Sequence, residues 1–275
     1  MEAQVKSAER VIRVLEAISG HPPGLTFTDL QAFTDVPKSS LHALLRTLTQ
    51  NGVLELDPRT RRYGPGAKLW ELAMAYLQHL EVVPLAWPFL EDLRDRLDET
   101  VQMAVLDGPD VVYVAKAQSG HALQLASHVG SRLPAYATGL GKALLAGLDQ
   151  AQIVKRYGAA ELPSFTAHTL PTVAHLLQDL DETRRRGYAR DLGEYSEDVR
   201  CLAAPVVDVE GRPVAAVSLS MSRDRFSAKR EAEMAPVLMD VVRAISRRLG
   251  GVEWDRWRES LAAVRGAGDG SRDRP

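Results

Sequence analysis

The sequence predicts an α+β protein in two parts: a small helical head closed by a β-hairpin, and a larger domain of mixed strands and helices. Three observations predict it. Residues 7–51 hold three stretches with apolar side chains at helical spacing, and two short strand-forming runs follow. A separate amphipathic stripe then runs Leu69, Leu72, Ala73, Tyr76, Leu77, Leu80. From Val83 onward, hairpin patterns alternate with helical ones.

The first helix is expected over Ser7–Ile18, with Ala8, Val11, Val14, Leu15 and Ile18 on one face and Ser7 as its cap. Gly20-His21-Pro22-Pro23-Gly24 ends it. Thr28-Asp29-Leu30-Gln31 has the form of a capping box opening a short second helix. After the turn Thr34-Asp35-Val36, Pro37 sits in the first turn of a third helix that runs to Asn51. It buries Leu41, Leu44, Leu45 and Leu48, and Asn51-Gly52 stops it. Val53–Leu56 and Arg61–Tyr63 flank Asp57-Pro58-Arg59-Thr60 as a hairpin. Three helices followed by a hairpin make a winged helix-turn-helix. Gly64-Pro65-Gly66 reads as a hinge before the linker helix, whose apolar stripe suits a dimer contact.

In the larger part, Glu91–Leu97, Gly139–Leu148, Val173–Arg186 and Ala228–Leu249 read as helices. Val101–Leu106 pairs with Val111–Ala117 around Asp107-Gly108-Pro109-Asp110. Leu123–Ala126 reads as a further strand, and Leu202–Val209 pairs with Pro213–Met221. The expected organisation is 5–65 for the head, 66–82 for the linker helix, 83–250 for the second domain, and 251–275 for a partly disordered tail rich in Gly, Ser, Asp and Arg.

A helix-turn-helix presents the start of its second helix to base edges. Here the face opposite the leucines carries Lys38, Ser39, His42, Ala43, Arg46 and Gln50, with Ser40 beside them and no acidic residue between Val36 and Leu54. Residues 36–64 hold five basic side chains (Lys38, Arg46, Arg59, Arg61, Arg62) against two acidic ones (Glu55, Asp57), on a chain of net charge -2. That local asymmetry points to a phosphate-binding face on double-stranded DNA. Lys38, Arg46 and the hairpin arginines suit phosphates, while Ser39, Ser40 and His42 are short enough for base edges or nearby phosphates.

The bulk numbers restrict the alternatives. The chain has 275 residues, 45% hydrophobic and 25% charged, as a globular protein does. Its single cysteine, Cys201, permits no internal disulfide and fits a reducing cytoplasm. The start lacks the pattern of a signal peptide, and no apolar run is long enough for a membrane helix. The seven histidines show no H-x-x-x-H pair and there is no C-x-x-C, so neither a metal nor another cofactor is expected. Gly139-Leu140-Gly141-Lys142 fails as a phosphate loop, because Tyr136 replaces its first glycine and Ala143 its hydroxyl residue. A hydrolase using Cys201 or Ser218 stays open, although no G-x-S-x-G elbow is present. So does a head that binds protein instead of DNA.

The stretch Val36-Pro37-Lys38-Ser39-Ser40-Leu41-His42-Ala43-Leu44-Leu45 resembles the recognition helix of IclR-type bacterial regulators. Arg132–Ala146, Arg186-Gly187-Tyr188 with Glu194-Tyr195, and Arg200–Val206 with Ala215–Ser220 are similar to further blocks of that family, in the same order over about residues 5–250. The resemblance implies a GAF-like effector-binding domain after the winged helix, and dimers or tetramers acting on palindromic operators. It also implies control of catabolic or stress genes, with a repressor expected here and an activator as the alternative. The family often has arginine where this chain has Ala43, an exchange that removes a DNA contact but leaves a methyl able to meet thymine.

By motif position, the resemblance places an effector on Gly139, Leu140, Asp191, Cys201, Ser218 and Ser220. The chemistry fits a small organic acid with an aromatic or alkyl part. Thr138-Gly139-Leu140-Gly141 opens a helix whose free N–H groups suit an anion. Ser218 and Ser220 share one strand face, Asp191 accepts from a ligand hydroxyl, and Met103 and Tyr113 are expected to add apolar wall.

Overall fold

The computed structural model describes residues 5–79, 81–121, 127–158 and 161–251. They fall into two compact units that divide after Leu80. The strand expected over Leu123–Ala126 and nearly all of the tail lie outside the described residues.

The first unit runs α1 (Lys6–Ser19), β1 (Leu25–Thr26), α2 (Phe27–Thr34), α3 (Lys38–Gln50), β2 (Leu54–Leu56), β3 (Arg62–Pro65) and α4 (Ala67–His79). Val14, Ile18, Leu30, Leu41, Leu45, Leu48 and Leu54 are buried together as its core, while Leu44, also expected to be buried, is only partly so and packs at its edge. Two caps differ from expectation. Helix α1 starts one residue earlier, with Val5 at its cap and no side-chain bond there, so Ser7 is already helical. The capping box of α2 is formed by Thr26 and Asp29, two residues before the Thr28 box. Thr26 is extended (φ -73°, ψ 167°) because it pairs with Arg62 in β3, and an extended residue is what a cap requires. That pairing makes the hairpin a three-stranded sheet of order β1-β3-β2, whose two-residue first strand is too short to show a period.

Gly64-Pro65-Gly66 is not a free hinge. Pro65 pairs with Leu54, and the Gly66 N–H donates to the Val53 carbonyl at 2.9 Å. A Cβ on Gly66 would lie 2.2 Å from the Gly52 carbonyl oxygen, so only glycine allows this approach.

The second unit is built on a six-stranded antiparallel sheet of order β6-β5-β4-β9-β8-β7. Its strands are β4 (Thr100–Asp107), β5 (Asp110–Ala117), β6 (Arg132–Pro134), β7 (Ala189–Asp191), β8 (Val199–Val207) and β9 (Pro213–Ser222). Helices α5 (Val82–Leu97) and α9 (Ala228–Arg248) contact each other and the middle strands. On the other face lie α6 (Gly139–Leu145), α7 (Gln150–Tyr157) and α8 (Val173–Arg186). There Leu140, Ala143 and Leu144 join Ala104, Tyr113, Ala203 and Ala216 in one cluster.

Helix α5 starts nine residues before the expected Glu91. Pro84 falls in its first turn and Pro88 inside it, and the helix accommodates both. Helix α7 was not anticipated, although Asp149 and Gln152 form its capping box. Edge strands β6 and β7 have three residues each, below the length at which alternation shows. Among the described residues, no helix is long and apolar enough to cross a membrane.

Candidate DNA interface and effector cavity

In the first unit, α3 and the wing enclose a groove of about 560 Å³ lined by Ser39, His42, Ala43, Arg46, Thr49, Gln50 and the wing's Tyr63, among others. No acidic side chain lines it. The ring of His42 stacks on Phe27 at 4.1 Å, which fixes it at the mouth of the motif. Lys38, Arg59 and Arg61 are exposed but lie outside the groove lining. Arg61 is held in the left-handed region (φ 57°) by the wing turn, where the Asp57 carboxylate accepts from the N–H groups of Arg59 and Thr60.

Two expected DNA residues have internal partners. Arg62 is half-buried and donates to the Gly24 carbonyl at 2.7 Å, so it ties the wing to the loop before α2. Ser40 is half-buried and accepts from Arg10 of α1 at 3.4 Å. The groove thus brings Ser39, His42, Ala43 and Arg46 together, and adds Thr49 and Tyr63, which the sequence reading did not single out.

The second unit holds a cavity of about 120 Å³ on the α6 side of its sheet. The strands line it with Leu133 from β6, Tyr113 from β5, Gln102 from β4, Ser220 from β9, Val199 and Cys201 from β8, and Asp191 from β7. Thr138 closes one side, and Tyr195 and Ser196 come from the β7–β8 connection. Of the expected effector residues, Asp191, Cys201 and Ser220 are therefore brought together. Gly139 lies against them: a Cβ there would sit 3.3 Å from that of Cys201 and 3.6 Å from that of Asp191. Ser218 is buried beside the lining, 3.5 Å from the Ser220 hydroxyl.

Leu140 does not line the cavity; it is a core residue of α6. Met103 is not a wall residue either, because it alternates to the opposite strand face from Gln102, whereas Tyr113 does line the cavity. The anion seat expected at Thr138–Gly141 is weaker than the sequence suggested. Helix α6 has only seven residues, and the Thr138 hydroxyl already accepts from the Gly141 N–H at 3.1 Å.

Gln102, Ser127 and Glu194 went unnoticed in the sequence. Gln102 was visible as a lone polar letter in the apolar run Val101–Leu106. Its carboxamide donates to Ser127 Oγ at 2.8 Å and accepts from Ser220 Oγ at 3.2 Å. Ser220 in turn lies 3.2 Å from Cys201 Sγ. The result is a buried polar chain across the sheet, as buried hydroxyls and amides require.

Burial governs the charges here. It raises the Asp191 carboxyl above the ordinary range, against the N–H groups of Glu194 and Gly193 that favour its charged form. Burial pushes the Glu194 carboxyl up to about 7, against the pull of Lys142. Burial also pushes the Cys201 thiol up, which argues against a reactive thiolate. Lys142 is fully buried, with its ammonium 2.5 Å from Glu194 and 3.1 Å from Asp179. Burial opposes its charge, but the two carboxylates outweigh that and raise its pKa. Lys142 is therefore an internal tie between α6, α8 and the loop beside the cavity. Among the described residues there is no cluster suited to a metal.

Residues 7–58 match the IclR helix-turn-helix domain model, and residues 74–247 match the model for the C-terminal part of bacterial transcriptional regulator IclR. The chain belongs to the IclR family. It is 32% identical over 251 residues to the transcriptional repressor IclR of Escherichia coli K12, covering 90% of this chain and 92% of that protein. It is 33% identical over 246 residues to the transcriptional regulator XynR of the same organism, covering 90% and 98%. A solved transcriptional regulator from Rhodococcus sp. RHA1 superposes with a TM-score of 0.80 at 27% identity, covering 90% of this chain and 99% of that one. An IclR-family chain is a ligand-responsive, DNA-binding transcriptional regulator and not an enzyme, which sets aside the hydrolase reading. The DNA-binding function likewise answers the protein-binding alternative for the head.

Proposed function

We propose that this regulator is a cytoplasmic homodimer or homotetramer that represses catabolic or metabolic genes from a palindromic operator, and that a small organic acid in the second unit's cavity changes its operator affinity. Ser39, His42, Ala43 and Arg46 form the reading surface, and Lys38, Arg59 and Arg61 hold phosphates. Ser40 and Arg62 act mainly by keeping that surface in place. The exposed Trp70, Leu72 and Tyr76 on α4 support self-association, because large apolar side chains on one helix want cover. The repressor sign draws on the named role of the Escherichia coli relative.

One observation carries the ligand reading: a small cavity with apolar wall onto which Gln102, Tyr113, Ser127, Asp191, Cys201 and Ser220 converge. A volume of about 120 Å³ is well above the roughly 10–15 Å³ that one water needs, so it has room for a small organic ligand. Asp191, Cys201 and Ser220 contact it, Gly139 allows it to lie close to α6, Ser218 supports Ser220, and Leu140 packs behind. Thermal-shift screening of the full chain with short organic acids, sugars and amines tests this. Acids should raise the melting temperature. Stabilisation by sugars or amines alone would overturn it.

A further inference from the structure

We infer that Gln102 sets the polarity of the effector cavity: its carboxamide, with Tyr113 and Ser127, receives the carboxylate of a short hydroxy acid while Asp191 at the other end receives the hydroxyl. This rests on the acid-binding reading above and gives that acid an orientation and a further required group.

A glutamine side chain carries two N–H donors and two acceptor lone pairs. Ser127 and Ser220 take one partner position on each end. Both partners are hydroxyls, which can donate or accept, so either orientation of the amide leaves one N–H and one lone pair uncommitted among the described residues. Gln102 is 2% exposed, and a buried N–H without a partner costs more than its bond would return. It lines the cavity, so a ligand acceptor is the partner that satisfies it.

The surroundings give that end its sign. Lys116 donates to the Ser127 carbonyl at 2.9 Å, which puts a positive charge behind the same wall. The Tyr113 hydroxyl stays protonated, as burial disfavours its phenolate. The spare Gln102 N–H and one hydroxyl proton of the hydrogen-bonded Tyr113–Ser127 pair, backed by an ammonium, therefore face one end. At the other end, Asp191 uses one oxygen for the N–H groups of Gly193 and Glu194. Its second oxygen is the acceptor available to a ligand hydroxyl. A carboxylate placed there would meet a carboxyl group, so the reverse orientation is disfavoured.

Calorimetry on the full chain with 3-hydroxypropanoate, propanoate and 3-hydroxypropanamide tests the assignment. The wild-type protein should prefer the hydroxy acid to its amide by about tenfold or more, the scale of one hydrogen bond to a charged group. Gln102→Glu should lose or invert that preference while still favouring the hydroxylated acid over propanoate. Should Gln102→Glu fail to fold, Tyr113→Phe keeps the test open: it should lower acid affinity and leave the preference for a hydroxyl. An unchanged acid-to-amide ratio in Gln102→Glu, or in Tyr113→Phe where that stands in, overturns the inference. Wild-type protein that binds none of the three probes removes the acid reading itself. Binding of propanoate as tight as that of the hydroxy acid leaves the acid reading intact and overturns only the orientation.

Discussion

Lys142→Met removes the ammonium that stands between Glu194 and Asp179. The lysine side chain is fully buried and that of Glu194 is 8% exposed, so the pair at 2.5 Å is screened little by solvent. Asp179, 22% exposed, keeps some water and contributes less. Breaking such a buried pair costs about 3–5 kcal/mol, because the partner is left as an uncompensated charge. An exposed pair would cost at most about 1 kcal/mol. In a unit of this size a cost of about 3–5 kcal/mol is a fall of roughly 6–20 °C in melting temperature. Acid should narrow the deficit, since the stranded carboxyls relieve themselves by taking up protons. The wild type has its own pH signature. Glu194 titrates at about 7, above its ordinary value of 4.5, so the folded state holds that proton more tightly than the unfolded one. The resulting stability is present below 4.5 and is lost as pH rises through 7. Urea unfolding of wild type and variant at pH 8 and pH 5.5, followed by circular dichroism, measures both effects. A deficit below about 1 kcal/mol at pH 8, or one that widens in acid, would refute the reasoning.

Other consequences are directly measurable. Arg46→Ala should weaken binding to all DNA and flatten the slope of log affinity against log salt by about one unit, in fluorescence anisotropy titrations. Thr26→Ala should destabilise the first unit by about 1 kcal/mol through loss of the α2 cap, whereas Thr28→Ala should be nearly neutral in the same melt. Gly141→Ala places a methyl 2.1 Å from the Ala135 carbonyl oxygen. It should cost about 3 kcal/mol or more, or yield insoluble protein, and a soluble variant with an unshifted melt would contradict that close approach.

Long periodic elements were legible in the sequence. The leucine spacing of α3, the β4–β5 and β8–β9 hairpins and α8 with Gly187 at its end (φ 90°) each carry a repeating local signal. What escaped depended on long-range pairing. Strand β1 exists because Leu25 and Thr26 meet Tyr63 and Arg62, and that meeting moved the α2 cap as well. In the cavity, Asp191, Cys201 and Ser220 were placed by their blocks. Gln102 joins them only because β4 lies beside β9 in the sheet order, a neighbour more than a hundred residues away. Leu140 points into the core for a related reason: α6 is buried along its whole length, and the rotation of roughly 100° between neighbouring helical residues turns its side chain away from the face on which Gly139 meets the cavity.

A ligand in the cavity should change the affinity of the first unit for DNA. The most direct measurement is the dissociation constant of the full chain for its own upstream DNA, with and without saturating 3-hydroxypropanoate, in wild type and in a Ser220→Leu variant whose added side chain fills the cavity. The account predicts a change of about tenfold in the wild type, a coupling of roughly 1.4 kcal/mol, and none in the variant. An acid that shifts neither protein, or both equally, would contradict it.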